Sequence, residues 1–275
     1  MSILCCPVCG LPLVREETAW RCARRHSFDI AREGYVHLLP ANQKHSKAPG
    51  DDKGMAAARN RFLTRDYYLP LREALEGLAL EYTGDSVTLL DSGCGEGYYT
   101  AGVYHTLCQA GKAVDATGVD ISKFSLRWAA KREKGIDFAV ASAYRLPVAS
   151  GSVDLLLNCF SPLAIEEFRR VLKPGGAFLY VVPGPEHLWE LKQILYDRPY
   201  RNEEQRIPYE GFRYDRVMRV EQRIHLPDQE AIHDLFQMTP YYWKTPREGT
   251  ERLAQCGALD VQISFDIHAF RRTIL

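Results

Sequence analysis

The chain has 275 residues, of which 46% are hydrophobic and 25% charged, with 35 basic and 35 acidic side chains. This length supports one large hydrophobic core together with a small satellite module. A formal net charge of zero excludes a global electrostatic attraction to nucleic acid, and no apolar run approaches the roughly 20 residues of a membrane helix.

The N-terminus and the cysteines indicate the compartment. The first residues contain no basic segment followed by an apolar run, so the sequence predicts no secretion signal. Four of the eight cysteines fall within the first 22 residues, and the others, Cys94, Cys108, Cys159 and Cys256, are scattered along the chain. This distribution does not favour a disulfide framework, and we expect a reducing cytoplasm as the location.

The first predicted element is a metal-binding module in the first 36 residues. Cys6 and Cys9 form a C-x₂-C turn, and Cys22 and His26 follow after a short hairpin. Two close pairs of such ligands are typical of structural Zn²⁺, which would supply folding free energy to a segment too short to fold by burial alone. Cys5 is an alternative to Cys6 as ligand. A metal-free hairpin or a redox C-x-x-C pair is the alternative to zinc.

A linker and two helices are predicted next, in the segment 37–82. Residues 40–54 are polar and rich in Gly and Pro, which predicts a flexible linker. Met55 to Tyr82 carries helical periodicity that is broken by Pro70, which predicts two helices. The remaining residues, 83–275, are predicted to form one large domain.

In this large domain, short apolar runs alternate with helical patterns. Strands are predicted near 86–91, 114–119, 136–140, 153–158 and 177–182, and helices near 98–111, 122–134, 164–172 and 186–197. The alternation predicts an α/β fold in which helices cover both faces of a parallel sheet. The last third differs, because two long strands at 213–226 and 260–270 flank helices at 228–237 and 247–256. We expect these two strands to form an antiparallel pair at one sheet edge.

A glycine loop lies between the first of these strands and the following helix, at 91–97 with the sequence D-S-G-C-G-E-G. Alternating glycines allow a sharp turn and close backbone contact with a ligand. The third glycine of a dinucleotide-binding G-x-G-x-x-G would fall on Tyr98. This departure favours S-adenosylmethionine, which has no pyrophosphate, and disfavours a dehydrogenase.

The other strand ends supply the remaining candidate cofactor residues, because ligands of such sheets bind at the carboxyl ends of the strands. Asp120 is expected to accept hydrogen bonds from the ribose hydroxyls, although a helix cap is the alternative. Ala141 and Ser142 are small enough to flank the adenine. Asn158 is expected beside the transferable methyl group, where it would hold the target base or the cofactor amine, and capping of the next loop is the alternative.

With these motifs in place, the chain resembles the bacterial 23S ribosomal RNA guanine-N1 methyltransferases of the RlmA type over nearly its full length. The resemblance rests on the zinc motif and on the segments 32–40, 91–100, 183–192 and 237–240. It implies a Rossmann-like class I methyltransferase sheet behind a small zinc-binding domain. It also implies methyl transfer from S-adenosylmethionine to N1 of a guanine in a 23S rRNA hairpin loop, by a homodimer. The resemblance does not decide which guanine is the target.

The resemblance implies further site residues. Tyr68 and His187 would line the cofactor cleft, although helix packing and a helix start are their alternatives. Together with the motif residues, the expected cofactor-binding set is Tyr68, Asp91, Gly93, Cys94, Gly95, Glu96, Gly97, Tyr98, Asp120, Ala141, Ser142, Asn158 and His187. Transfer to guanine N1 requires loss of the N1 proton or stabilisation of negative charge on O6. Asn158, His187 and Glu190 are the catalytic candidates, Asp91 is a further possible base, and the base is left unassigned.

Basic side chains of the N-terminal module predict an RNA contact, with a solvated basic face as the alternative. They are Arg15, Arg21, Arg24, Arg25 and Arg32, followed by Lys44 and Lys47. Trp20, Phe28 and Tyr35 are candidates for stacking on bases, although Phe28 and Tyr35 are expected to pack within the module. Two other functions stay open at this point: a small-molecule methyltransferase, and a non-catalytic RNA-binding or antibiotic-resistance factor.

Overall fold

The computed structural model of the protein describes residues 2–40, 50–204 and 208–274. Its strands are β1 (Leu13–Arg15), β2 (Ala19–Cys22), β3 (Ser27–Asp29), β4 (Val36–His37), β5 (Ser86–Ser92), β6 (Ala113–Asp120), β7 (Asp137–Val140), β8 (Val153–Cys159), β9 (Leu172–Pro183), β10 (Phe212–Leu226) and β11 (Leu259–Arg272). Its helices are α1 (Lys53–Thr64), α2 (Leu69–Tyr82), α3 (Tyr98–Gln109), α4 (Lys123–Arg132), α5 (Ile165–Val171), α6 (Trp189–Leu195), α7 (Gln229–Gln237) and α8 (Arg247–Ala254), with a 3₁₀ helix at Pro240–Trp243. No described helix is both long and apolar enough to cross a bilayer.

The central sheet has eight strands in the order β10-β11-β9-β8-β5-β6-β7-β4. The strands from β4 to β9 run parallel, and β11 pairs antiparallel with both β9 and β10. The chain moves outward from β5 to β6 and β7 and then returns to β8 on the other side of β5. A crevice therefore opens at the carboxyl ends of β5 and β8, which is where doubly wound sheets bind ligands.

The predicted strands and helices of the large domain are confirmed, including the antiparallel pair at the edge. Two boundaries differ from expectation. The first two helices separate at residues 65–68, and Pro70 lies in the first turn of α2, where a missing N–H costs nothing. Helix α5 ends at Val171, before the Pro-Gly-Gly sequence, and β9 already begins at Leu172. Pro174 disfavours helical geometry at Lys173, which explains the early extended backbone.

The predicted linker at 40–54 is partly wrong. Residues 41–49 lie outside the described residues, but helix α1 already begins at Lys53. Asp52 caps this helix, because its side chain accepts a hydrogen bond from the Met55 N–H at 2.9 Å. A short polar side chain at this position is a helix-start signal that the Gly- and Pro-rich composition obscured.

The N-terminal module packs directly on the large domain. Strands β1 to β3 form a small antiparallel sheet, whereas β4 extends the central sheet through parallel pairing of Val36 with Ala139. Leu4 and Trp20 are buried in the same hydrophobic cluster as Leu90 and Val119 of the central sheet. The division of the chain near residues 36 and 82 stays a prediction, and the interface at the first boundary is a shared core.

A long-range ion pair places α1 over the sheet. Arg61 donates from Nε to the carboxylate of Asp234 in α7 at 2.9 Å, and Asp234 is buried. Arg65 of α1 also pairs with Glu230 of α7. These contacts hold two elements that are distant in sequence against each other above the carboxyl ends of the strands.

Candidate functional site

A cavity of about 760 Å³ lies at the carboxyl ends of β5 to β9. Helix α1 and the segment 238–243 form its opposite wall. Of the thirteen predicted cofactor residues, ten line it, namely Tyr68, Asp91, Gly93, Cys94, Gly95, Glu96, Asp120, Ala141, Ser142 and His187. The structure thus brings strand ends that are far apart in sequence to one crevice.

The glycine loop adopts backbone conformations that side chains disfavour. The φ angles of Gly93, Gly95 and Gly97 are +88°, +56° and +79°. The loop is tied to β6, because the N–H groups of Gly93 and Cys94 both donate to the Val119 carbonyl, at 2.7 and 3.1 Å. A Cβ added at Gly93 would lie 2.2 Å from the Ser161 side chain, so glycine is needed here for space as well as for φ.

Gly93→Ala is therefore expected to weaken cofactor binding at least about tenfold, because the added Cβ would overlap Ser161 and push the 160–162 loop into the cavity. In addition, an Ala residue in the left-handed backbone conformation costs roughly 1 kcal/mol. Gly111→Ala is the matched control, since Gly111 also has a φ of +79° but has open space around its Cβ position. Calorimetric titration with S-adenosylhomocysteine measures both. Equal affinities for the two variants would contradict the steric argument.

Asp91 presents an unpaired carboxylate oxygen within the cavity wall. The residue is 1% exposed, and its Oδ2 accepts a hydrogen bond from the Thr100 hydroxyl at 2.6 Å. Its Oδ1 has no hydrogen-bond partner among the described residues. Burial raises the pKa of Asp91 to about 7, partly offset by the Thr100 hydrogen bond. A cationic hydrogen-bond donor placed at this oxygen would offset the cost of burying the charged carboxylate.

Both carboxylate oxygens of Asp120 accept hydrogen bonds from backbone N–H groups, whereas Ser122 caps α4. Its Oδ1 accepts from the Ser122 N–H at 2.7 Å, and its Oδ2 accepts from the Gly95 N–H at 2.9 Å. Each oxygen keeps a second lone pair, so the carboxylate still has acceptor capacity for hydroxyl groups. Burial raises the pKa of Asp120, whereas these two backbone hydrogen bonds lower it.

An aromatic arm of the cavity surrounds His187. The ring centroids of His187 and Phe265 are 4.7 Å apart, and the Tyr68 ring lies 4.9 Å from Phe265. The His187 Nδ1 accepts a hydrogen bond from the Ser264 N–H at 3.3 Å, which assigns the remaining proton to Nε2. Burial lowers the pKa of His187 to about 3. In the same arm, the buried hydroxyl of Tyr99 has no partner among the described residues.

Other predicted site residues do not line the cavity. Asn158 donates from Nδ2 to the Ser92 carbonyl at 2.9 Å and to the Pro162 carbonyl at 3.3 Å, so it fixes the loop after β8. Glu190 accepts from the Gln262 N–H at 2.9 Å and pairs with Arg223.

Tyr98 and Gly97 also pack outside the cavity. The Tyr98 hydroxyl donates to Asp66 at 2.7 Å, and its ring lies 4.7 Å from the Arg72 guanidinium. A Cβ at Gly97 would meet Ala129 at 3.0 Å, so this glycine lets α4 approach the loop.

Several lining residues had not been predicted as site residues. Arg59 of α1 donates to the Met238 carbonyl at 3.1 Å and pairs with Asp51, and all three residues line the cavity. Arg59 also lies beside Glu96, which was predicted as a cofactor residue; Glu96 accepts from the Tyr98 N–H at 3.1 Å, and Arg59 and Arg132 lower its pKa against the larger effect of burial. The segment 237–240 belonged to the resemblance, and this was the only sequence signal for the wall opposite the glycine loop.

The four predicted metal ligands come together in the N-terminal module. The Sγ atoms of Cys9 and Cys22 are 3.7 Å apart, and the His26 Nδ1 lies 3.4 Å from Cys6 Sγ and 3.3 Å from Cys22 Sγ. All four ligand atoms lie within 4.8 Å of one another. Tetrahedral zinc with about 2.3 Å bonds to sulfur and about 2.0 Å bonds to nitrogen requires edges of about 3.5–3.8 Å. Cys5 lies outside the cluster, with its thiol directed to the Ile3 carbonyl.

The basic side chains of this module are not equivalent. Arg15 pairs with Asp137 of the large domain at 2.8 Å, and Arg21 pairs with Glu16. Arg24, Arg25 and Arg32 are exposed. Lys44 and Lys47 lie outside the described residues.

The aromatic stacking candidates of the module differ in exposure as well. Trp20 and Tyr35 are 3% and 8% exposed, which makes them core residues in this structure. Phe28 is half-buried. An RNA contact by the module therefore depends on the exposed arginines.

Comparisons with known proteins agree with this architecture. The N-terminal zinc-ribbon family of RlmA matches residues 4–47, and a methyltransferase-domain family matches residues 84–231. A Bacillus subtilis protein, provisionally named 23S rRNA (guanine-N(1)-)-methyltransferase YxjB, is 34% identical over 97% of this chain and 96% of that protein. The chain belongs to this methyltransferase family.

Further relatives support the family membership. The 23S rRNA (guanine(748)-N(1))-methyltransferase of Streptomyces fradiae is 34% identical over 91% of this chain and 89% of that enzyme. Among solved structures, YcgJ from Bacillus subtilis aligns with a TM-score of 0.51 at 17% identity, over 74% of this chain and 100% of that one. The structural likeness shows the fold of the large domain. The expected fold class and enzyme class are thus confirmed.

Proposed function

We propose that this methyltransferase transfers a methyl group from S-adenosylmethionine to N1 of a guanine in a hairpin loop of 23S rRNA. The observation that carries the proposal is the likeness, over nearly the whole length of both chains, to relatives named for that reaction. A chain with a metabolite as substrate would not need the N-terminal module that this family shares.

The cavity fits S-adenosylmethionine in three respects. The orphaned Oδ1 of Asp91 is an acceptor for the ammonium group of the cofactor. The bare backbone at Gly93 and Gly95 allows close approach of the methionine portion. Asp120 retains acceptor capacity for the ribose hydroxyls, and Ala141 and Ser142 leave space for the adenine. When bound, the cofactor supplies a methyl group activated by a sulfonium.

For the chemistry at guanine N1, the structure favours a donor role for His187. Its pKa of about 3 makes it neutral at physiological pH and a weak base. Its Nε2–H is then available to stabilise negative charge on O6 of the guanine. Glu190 is engaged outside the cavity, and Asn158 acts on the loop, so we propose Asn158 as a positioning residue and assign no general base.

We further propose that Cys6, Cys9, Cys22 and His26 hold structural Zn²⁺. The ligand spacing and the zinc-ribbon match support this assignment. The exposed arginines of the module would then contact RNA phosphates. From the resemblance alone, we propose that the protein is a homodimer, which sedimentation analysis of the purified protein would test. The distribution of its cysteines supports action in a reducing cytoplasm.

The proposed reaction is tested with purified protein, S-adenosylmethionine and a transcribed 23S rRNA hairpin. N1-methylguanine is expected at one loop position. The product is detected as a stop of reverse transcriptase at that position, since a methyl group on N1 blocks base pairing. Mass mapping of rRNA from a deletion strain, with and without the restored gene, identifies which guanine is modified. If the protein binds the cofactor but methylates neither the transcribed hairpin nor cellular 23S rRNA, the proposal is overturned and the small-molecule alternative is favoured.

A further inference from the structure

The mouth of the cofactor cavity carries an unusual share of the exposed aromatic side chains. Five large aromatic residues in the described part of the chain are exposed. Three of them line this single cavity: Tyr144 at 66% exposure, Phe160 at 44% and Trp243 at 65%. Soluble proteins rarely concentrate such surface without a binding partner.

These three residues come from separate elements of the fold. Tyr144 follows β7, Phe160 follows β8, and Trp243 ends the 3₁₀ helix on the opposite wall. Phe160 adopts a φ of +55°, which is rare for an aromatic residue. The loop is held in this conformation, because the Phe160 N–H donates to Val181 at 3.2 Å and the Ser161 hydroxyl donates to Ser92 at 2.6 Å. An exposed ring kept in a strained conformation points to a binding role.

Basic residues follow two of these rings directly. Arg145 comes after Tyr144, and Lys244 comes after Trp243, and both are exposed. Aromatic side chains interleaved with cations are the chemistry by which proteins bind single-stranded nucleic acid, through stacking on bases and contacts to phosphates.

We propose that Tyr144, Phe160 and Trp243 form a stacking rim that binds the unpaired nucleotides flanking the methylated guanine, while Arg145 and Lys244 contact their phosphates. This inference rests on the proposed function and deepens it. A guanine must leave its stack to enter a cavity, and its neighbours then lie at the mouth. None of the three rings belongs to the zinc module, so the large domain would supply an RNA contact of its own.

The test measures affinity for the fluorescently labelled hairpin in the presence of S-adenosylhomocysteine. Trp243→Ala and Tyr144→Ala are each expected to weaken hairpin binding about tenfold, since each removes one stacked base. Trp243→Phe should restore most of the affinity. Trp128→Ala is the matched control, because Trp128 is an exposed aromatic residue on α4 that does not line the cavity.

Two further readouts separate stacking from other effects. Lys244→Ala should reduce the slope of log Kd against log salt by about one, whereas Trp243→Ala should leave the slope unchanged. Cofactor affinity is measured in parallel for every variant, and it should stay within twofold of wild type for the control Trp128→Ala, which lies outside the cavity. Wild type should bind the hairpin more tightly than a duplex of the same length. Trp243→Ala should bind the hairpin and the duplex with equal affinity.

The outcomes distinguish this inference from the proposed function. If the wild-type protein methylates the hairpin and the rim variants bind it normally, the rim is overturned and the reaction stands. If the hairpin binds, loses affinity in the rim variants and is never methylated, the rim stands and the reaction is overturned. Absence of hairpin binding by the wild-type protein also overturns the rim.

Discussion

Asp91→Asn is expected to stabilise the ligand-free protein at pH 8 and, at the same time, to weaken cofactor binding at least about 30-fold. Burial raises the pKa of Asp91 from 3.8 to about 7 in the folded state. Because the pKa of Asp91 is higher in the folded than in the unfolded state, its contribution to stability is fully present below pH 4. This contribution is lost as the pH rises through 7. At pH 8 the buried charge therefore costs up to about 4 kcal/mol, which an Asn side chain avoids. Removing the charged acceptor for the cofactor ammonium costs about 2 kcal/mol in binding.

The two effects are measured by chemical denaturation at pH 5 and pH 8 and by titration with S-adenosylmethionine. The stability advantage of the variant should grow between pH 5 and pH 8. In wild type, cofactor affinity should fall about tenfold from pH 8 to pH 6, because Asp91 protonates, whereas the variant should show no such dependence. Asp260→Asn, at an exposed position, is the control. A variant that is less stable than wild type at pH 8 would refute the assignment of a charged, unsatisfied carboxylate.

The parts of the fold that the sequence predicts well are those specified locally. Apolar runs of β5, β6 and β8 are buried on both faces and bounded by turn residues, so their positions follow from the pattern. The glycine loop is equally local, because its positive φ angles require glycine wherever the rest of the chain lies. The metal cluster was predicted from ligand type and spacing alone, apart from the choice between Cys5 and Cys6. That choice depends on how the turn packs against Ile3.

The wall opposite the glycine loop was not predictable in this way. It exists because Arg61 reaches Asp234, a residue 173 positions away, and no local pattern encodes that pairing. The same packing brings Arg59 to Met238 and turns part of an apparent linker into cavity wall. The hydrogen bonds of Asn158 and Glu190 likewise depend on neighbours from other elements, so sequence could name these residues as candidates but could not orient their side chains.

Cys22→Ser is expected to release bound zinc, unfold the N-terminal module and lower affinity for the rRNA hairpin at least about tenfold, while cofactor affinity stays within twofold. Binding of structural zinc contributes roughly 10–16 kcal/mol to the folding free energy of such modules, which cannot fold by burial alone. The cavity is lined by residues from Gly50 onward in the described chain, so no described residue of the N-terminal module lines it. Trp20 should become exposed and its fluorescence should shift to longer wavelength, since it is 3% exposed in the folded module.

Cys5→Ser is the matched control for this prediction, because the Cys5 thiol lies next to the four ligands in sequence but is directed to the Ile3 carbonyl. It should retain one zinc per chain by elemental analysis, normal Trp fluorescence and normal hairpin affinity. Zinc loss in the Cys5 variant, or zinc retention in Cys6→Ser, would show that the other cysteine is the ligand. Because Leu4 and Trp20 share a core with Val119 of the central sheet, zinc loss should also lower the melting temperature of the whole protein. The metal would then stabilise the whole protein through this shared core, in addition to its effect on the RNA contact.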